Sequence, residues 1–223
     1  ASWKGKKVML NFGAVDWKAD IWVNDIKVGQ HTGGFTPFSL DITAALATKG
    51  DNKLVVKVWD PTDRGPQPRG KQVNRPEGIW YTAVTGIWQT VWMEPVAERH
   101  ITNVRTTSDI DRKKLTVDVT TSTSCPSEVV EVKVFDGKQL VATGKGLNGH
   151  TIDIQMPADA KLWSPASPTL YSMQMALLSN GKVTDKGDSY TAMRKYSTRR
   201  DKDGIVRLQL NNEDVFQFGP LDQ

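Results

Sequence analysis

The sequence predicts an all-β chain built of two successive sandwiches, with a short stretch of different character at its end. Three observations carry that expectation. Apolar and polar residues alternate at a period of two through run after run, the mark of strands with one buried face. No segment sustains a 3.6-residue apolar period long enough for a substantial helix. Asn, Asp and Gly punctuate the runs where turns are needed. At 223 residues the chain has room for two ordinary β-domains with real cores.

The first strands lie between Val8 and Thr43. Val8, Leu10 and Phe12 alternate with Met9 and Asn11, and Ala19, Ile21 and Val23 alternate with Asp20, Trp22 and Asn24. Asn24-Asp25 marks a turn before Ile26, because both residues tolerate left-handed backbone and bond their own main chain. Gly33-Gly34 breaks the next strand before Phe35, and Pro37 begins the approach to Ile42. Trp17, Trp22, Phe35 and Phe38 are expected to be core aromatics rather than stacking platforms for a ligand, since aromatics are usually buried. Ala44 to Ala47 is expected to form one helical turn, closed by Gly50-Asp51-Asn52. Leu54, Val56 and Val58 then alternate with Val55, Lys57 and Trp59 as another strand.

This order of motifs carries a resemblance. Ala14-Val15-Asp16, Ala19-x-Ile21-Trp22-Val23-Asn24, Val28-Gly29-x-His31-x-Gly33-Gly34-Phe35-x-Pro37-Phe38 and Asp41-Ile42-Thr43 follow one another as in the sugar-binding β-sandwich of family 2 glycoside hydrolases, which the stretch resembles. That family includes β-galactosidases, β-glucuronidases and β-mannosidases. The resemblance implies a jelly-roll-like, galactose-binding-type sandwich over residues 1–97, with its first strands expected upstream of this chain.

Residues 60–78 read differently. The segment holds four prolines and three glycines, mixes both signs of charge and lacks alternation. Loops of this length inside a compact domain are uncommon and tend to be functional or mobile. In the resembled enzymes the loop at this place leans over the mouth of the catalytic barrel. A sugar contact is therefore expected here. Arg75 and Glu77 can hydrogen-bond hydroxyls, and Trp80 or Tyr81 can stack on the apolar face of a sugar ring. The bland alternative is a surface loop with a local ion pair and two aromatics beneath it. The following Gly86-Ile87-Trp88-x-x-Val91-Trp92-x-Glu94 resembles the family's last sandwich strand.

A second domain is expected over residues 98–195. Leu115, Val117 and Val119 alternate with Thr116, Asp118 and Thr120, and Val130, Val132 and Val134 do so before the Asp136-Gly137 turn. Ile152, Ile154 and Met156 repeat the pattern, as do Tyr171, Met173, Met175 and Leu177. Strands so spaced argue for an immunoglobulin-like β-sandwich in architecture, without the paired cysteines of antibody domains. Leu162-Trp163-Ser164-Pro165, Pro168-x-Leu170-Tyr171 resembles the late-strand signature of the family's immunoglobulin-like domain. Asn180-Gly181 signals a hairpin of type I′.

Residues 196–223 resemble the entry hairpin and a short stub of the family's (β/α)8 barrel, on the pattern Arg194-Lys195, Asp203-Gly204, Leu208-x-Leu210-Asn211, Val215-Phe216. Val215 to Gly219 is then expected as the first barrel strand. Asp222 and Gln223 would sit at its carboxyl end, where barrel enzymes build their sites, and are carried as substrate-binding candidates. Phe218-Gly219-Pro220-Leu221 departs from the commoner Arg-Gly-x-Asn, which leaves the sugar preference open.

The remaining classes are bounded by composition. The net charge of +4 and pI near 9.1 come from scattered bases interleaved with acids, not the basic stripe that nucleic acid requires, so no nucleic-acid partner is expected. No run of 18 apolar residues proposes a membrane span, and no charged-then-apolar leader opens the chain. The single Cys125 and the isolated His31, His100 and His150 provide no metal set, and no cofactor is expected. Retaining glycosidases need two carboxyl groups roughly 5 Å apart. In the resembled family both are glutamates on later barrel strands that this chain lacks, so no catalytic residue is assigned and the chain is expected to hydrolyse nothing by itself. The reading is a non-catalytic N-terminal fragment of a β-galactosidase-like parent that hydrolyses terminal β-glycosides with retention. Its expected partners are a carbohydrate (β-glycoside or polysaccharide) and the missing catalytic barrel. A stand-alone carbohydrate-binding or adhesive module is the alternative. A periplasmic or secreted bacterial location is favoured if the parent degrades polysaccharide.

Overall fold

The computed structural model describes residues 3–220, which form two compact units, residues 3–98 and 99–220. Asp222 and Gln223 lie outside the described residues.

The first unit runs β1 (Lys7–Phe12), β2 (Val15–Asp16), β3 (Lys18–Val23), β4 (Ile26–Thr32), β5 (Phe38–Asp41), a 3-10 turn (Thr43–Ala45), β6 (Leu54–Trp59), β7 (Gln72–Val73), β8 (Tyr81–Thr82), β9 (Gly86–Ile87) and β10 (Val91–Val96). Its two main sheets have the orders β10-β1-β5 and β4-β3-β6, all antiparallel. The inward residues of β1 and β3 meet in one apolar core. Val8, Leu10 and Phe12 come from the first sheet, and Ala19, Ile21 and Val23 from the second. The Asn24-Asp25 turn takes positive φ at both residues, 49° and 64°, as a tight turn between β3 and β4 requires. Asn24 also reaches across the unit: its Nδ2 donates to the Ala45 carbonyl at 2.9 Å and its Oδ1 accepts the Lys53 N–H at 2.9 Å.

The aromatic core expected from the sequence is corrected here. Phe38 packs on Phe12 with ring centroids 4.7 Å apart, but it is only half-buried, like Trp17 and Trp22, and Phe35 is 58% exposed. Strand alternation is the reason. Ile21 and Val23 take the inward positions of β3, so Trp22 between them must face out.

The second unit runs β11 (Ile101–Asp109), β12 (Lys114–Thr121), β13 (Val129–Asp136), β14 (Gln139–Leu147), β15 (Ile152–Gln155), β16 (Tyr171–Ser179), β17 (Lys182–Thr191), β18 (Tyr196–Arg200), β19 (Val206–Leu210) and β20 (Glu213–Asp214). Sheets of three and four strands, β11-β12-β15 and β14-β13-β16-β17, enclose a core that includes Leu115, Val117, Val132, Ile154, Met173 and Leu177. Glu128 is buried completely and is compensated by Arg99 Nε at 2.9 Å and Asn148 Nδ2 at 3.2 Å, as a buried charge demands. Asn180-Gly181 forms the expected tight turn, with φ of 50° and 75°.

The end of the chain departs from expectation. β18, β19 and β20 form a small sheet, but residues 215–219 form no strand. Val215 N–H bonds the Leu208 carbonyl at 3.0 Å, and beyond it Phe216 and Phe218 are 88% and 96% exposed. A strand exists only beside a neighbour that pairs its N–H and C=O groups, and none lies beside this segment among the described residues.

Phe12, with no exposed surface, is the largest apolar side chain buried in the first core. Phe12→Ala is expected to destabilise that unit by about 3–5 kcal/mol. Of the eight tryptophans only Trp163 lies outside the first unit, so denaturant unfolding followed by tryptophan fluorescence reads this directly. A midpoint unchanged from wild type would remove Phe12 from the core.

Candidate functional site

A ladder only two residues long organises the site. Val15 pairs with Ile87 and Asp16 with Gly86, which ties the start of the unit to the Gly86-Ile87-Trp88 run. Val15 is wholly buried, so alternation turns Asp16 to the other side. A cavity of about 230 Å³ opens there, with Asp16, Phe35, Gln72, Val84, Thr85 and Trp88 in its wall.

Each wall residue has a visible restraint. Trp88 Nε1 donates to the Gly34 carbonyl at 2.7 Å, and its ring meets Phe35 edge to face, 6.0 Å between centroids at 72°. Gly34 is the residue that leaves room for the carboxylate: a Cβ on it would stand 2.5 Å from Asp16 Oδ1. Gln72 Oε1 accepts the Val84 N–H at 2.8 Å. The Thr85 hydroxyl donates to Asp60 Oδ2 at 2.9 Å, while Asp60 Oδ1 accepts the Thr62 N–H at 2.7 Å. Asp16 alone among these polar groups has neither a side-chain hydrogen bond nor an ion pair among the described residues. Partial burial, and then the nearby Asp60 charge, push its carboxyl above the ordinary value of 3.8. A partly desolvated, unpartnered acid in an aromatic-walled pocket is a recurring sign of a binding site.

The long loop is ordered by its own polar contacts. Asp63 accepts the Asn74 N–H at 3.1 Å and also bonds the Asn74 side chain. These bonds hold the Asp63 carboxyl below its usual range. Gln67 Nε2 donates to the Thr62 carbonyl at 2.8 Å. β7 and β8 pair in parallel, Gln72 opposite Tyr81, so the loop's far end delivers Gln72 to the pocket wall.

The four loop residues singled out from sequence lie outside that wall. Arg75 and Glu77 are exposed and make no ion pair with one another. Trp80 carries the Arg69 guanidinium 5.6 Å from its ring centroid, and Tyr81, 62% exposed, carries the Lys71 ammonium at 5.8 Å. Sequence reading missed Asp16, although the residue sits inside the Ala14-Val15-Asp16 motif. The missed signal was an acid directly after an inward-facing apolar residue of a strand.

A larger hollow of about 710 Å³ lies in the second unit, with Trp163, Tyr190, Arg194 and Tyr196 in its wall. There the Arg194 guanidinium already occupies the faces of Trp163 and Tyr196, at 4.9 and 5.2 Å. Lys195 is held by Asp111 at 2.5 Å. Its aromatic faces are thus partly taken, and the open acid of the first unit is the better candidate. Among the described residues no cluster of His, Cys, Asp and Glu could hold a metal ion, and no helix is long and apolar enough to cross a membrane.

Two β-sandwich units, one with an open acid-and-aromatic pocket, define an all-β chain. Comparison makes the assignment. The family model for the glycosyl hydrolase 2 galactose-binding domain-like region matches residues 1–107, and that for glycosyl hydrolases family 2 matches residues 99–194. The chain belongs to glycosyl hydrolase family 2. It is 30% identical over 199 residues to a β-glucuronidase of Paenibacillus borealis, covering 82% of this chain and 33% of that one. It is 27% identical over 210 residues to a β-galactosidase of Thermoanaerobacter pseudethanolicus, covering 89% and 27%. In structure it is similar to a Ruminococcus gnavus β-glucuronidase solved with D-glucaro 1,5-lactone, with a TM-score of 0.77, 22% identity and coverage of 98% of this chain and 38% of that one. The chain therefore spans about a third of the length of these relatives.

The raised carboxyl of Asp16 has a consequence for stability. The folded state binds the Asp16 proton more tightly than the unfolded chain, so ionisation costs stability. That cost is absent well below 3.8 and complete once the pH has passed the folded value. Asp16→Asn is expected to raise the melting temperature of the first unit at neutral pH by about 1–3 °C, and the advantage is expected to vanish in acid well below 3.8. Thermal melts of both proteins across that range are the check. A variant less stable than wild type at neutral pH would mean that Asp16 is a structural ligand of this pocket.

Proposed function

We propose that this chain is the non-catalytic N-terminal part of a retaining β-glycosidase of β-galactosidase-like activity, and that its first unit lends one wall to the sugar site. The observation that carries the reading is the succession of the two family 2 regions along a chain one third the length of its relatives. In this reading residues 1–97 are the sugar-binding sandwich, 98–195 an immunoglobulin-like sandwich, and 196–223 the lead into the barrel. The three-plus-four strand arrangement of the second unit supports the immunoglobulin-like part. The pocket at Asp16, about 230 Å³, is smaller than the roughly 300–1,000 Å³ of complete ligand sites, which favours a shared site over an independent one.

The roles follow from chemistry. Asp16 accepts hydrogen bonds from sugar hydroxyls, with Phe35 and Trp88 against the ring's C–H face. Arg75, Glu77, Trp80 and Tyr81 contact the substrate from the loop, while Asp222 and Gln223, outside the described residues, are carried as candidates from the sequence alone. Protonation of the leaving group and nucleophilic attack belong to two carboxyls in the remainder of the polypeptide.

The test is a panel of nitrophenyl β-glycosides, assayed on this chain and on the full-length polypeptide that carries it. Activity is expected in the longer protein alone. Turnover by the 223-residue chain itself would refute the division of labour, and no activity in either would shift the reading to a binding module. Within the full-length enzyme, Arg75→Ala, Glu77→Ala and Trp80→Ala are each expected to lower kcat/KM by about tenfold, one lost contact of the usual strength. If all three match wild type, the loop has no substrate role.

A further inference from the structure

The pocket at Asp16 offers a ligand only one sign of charge. Asp16 lies in its wall, Asp60 stands behind the Thr85 hydroxyl, and no Lys or Arg lines it among the described residues. The cations of the adjacent loop are engaged elsewhere or absent from the wall. The Arg69 guanidinium lies over Trp80 and donates to the Asp63 carbonyl at 3.4 Å, and the Lys71 ammonium lies over Tyr81. Of the neutral groups, Gln72 has committed its carbonyl oxygen to the Val84 N–H and Thr85 has committed its proton to Asp60. Among the described residues Asp16 is the strong acceptor whose carboxylate is left without a protein partner. A group docked against it gains most by donating a hydrogen bond and loses most by carrying negative charge.

We infer that this pocket is a subsite for the hydroxyl edge of an uncharged sugar, and that Asp16 selects against uronic acid glycosides. The inference rests on the reading that this unit lends a wall to the sugar site. It sets the chain apart from the β-glucuronidases that share its fold, since overall likeness carries no information about the charge beside one ring edge. Phe35 and Trp88 supply the apolar counterpart that a pyranose presents on its C–H face, and they discriminate little between neutral and acidic sugars. Selectivity is thereby assigned to the carboxylate and general affinity to the aromatic pair.

Asp16→Asn keeps the size and shape of the side chain while removing the charge and adding a donor. In the full-length enzyme, kcat/KM is measured for nitrophenyl β-galactoside, β-glucoside and β-glucuronide, at neutral pH and at low and high salt. Wild type is expected to favour the better neutral substrate over the glucuronide by at least tenfold, and Asp16→Asn to narrow that ratio by a similar factor. High salt is expected to narrow it partially in wild type and not in the variant, because only the charge is screened. A wild-type preference for the glucuronide, or a ratio unmoved by Asp16→Asn, overturns the inference. Trp88→Ala separates that failure from a failure of the underlying reading. If Trp88→Ala lowers kcat/KM for all three substrates while Asp16→Asn leaves the ratio alone, the pocket binds sugar and Asp16 does not select. If neither substitution alters any rate, the pocket is outside the sugar site and both conclusions fall. A melt of Asp16→Asn at neutral pH shows that its kinetics come from a folded protein.

Discussion

The ladder between β2 and β9 is the constraint on which the candidate site depends. Only two residue pairs make it, Val15 with Ile87 and Asp16 with Gly86, but they fix which way each side chain faces. With Val15 locked into the core at zero exposure, Asp16 has no choice but to face the pocket. Gly34 then keeps that side clear, and the Trp88 indole is drawn over it by its bond to the Gly34 carbonyl. Three sequence segments far apart in the chain thus converge on one carboxylate, and none of them could place it alone.

The same alternation explains what sequence reading could and could not see. The inward sets of β1 and β3, and those of β12, β13 and β16, are visible as periodic apolar residues because burial is what selects them. The tight turns at Asn24-Asp25 and Asn180-Gly181 are visible because positive φ restricts the residue types that can stand there. Trp22 faces out because strand phase outranks hydrophobicity, and Phe35 lies in the bend between β4 and β5, where no strand turns it inward. An aromatic at an outward position is still outward, and the flanking Ile21 and Val23 already said so. Val215 to Gly219 fails for a different reason: its residues suit a strand, but pairing is a property of neighbours.

The candidate site was legible by region and not by residue. The proline- and glycine-rich loop was recognisable, yet its polar residues divide into two groups that composition cannot separate. Asp63, Gln67 and Asn74 are spent holding the loop together, while Arg75 and Glu77 remain exposed. Gln72, which no sequence rule would single out, reaches the pocket because β7 pairs in parallel with β8. Asp16 escaped notice because a lone acid after a valine reads as an outward strand position, which it is. Its interest lies in what surrounds it.

An unpartnered carboxylate is a poor choice for stability. Glu128 shows how this protein treats an acid that serves the fold, burying it completely and compensating it with Arg99 and Asn148. Asp16 receives nothing comparable, and its neighbour Asp60 makes its ionised state harder still to hold. Proteins usually keep such local conflicts only where something other than folding uses them. An external donor would resolve this one, since a hydrogen bond to the ionised form would favour the charge that burial and Asp60 oppose. The tension at Asp16 is the one that the proposed sugar hydroxyl would relieve, where Arg99 and Asn148 relieve it for Glu128 within the chain itself.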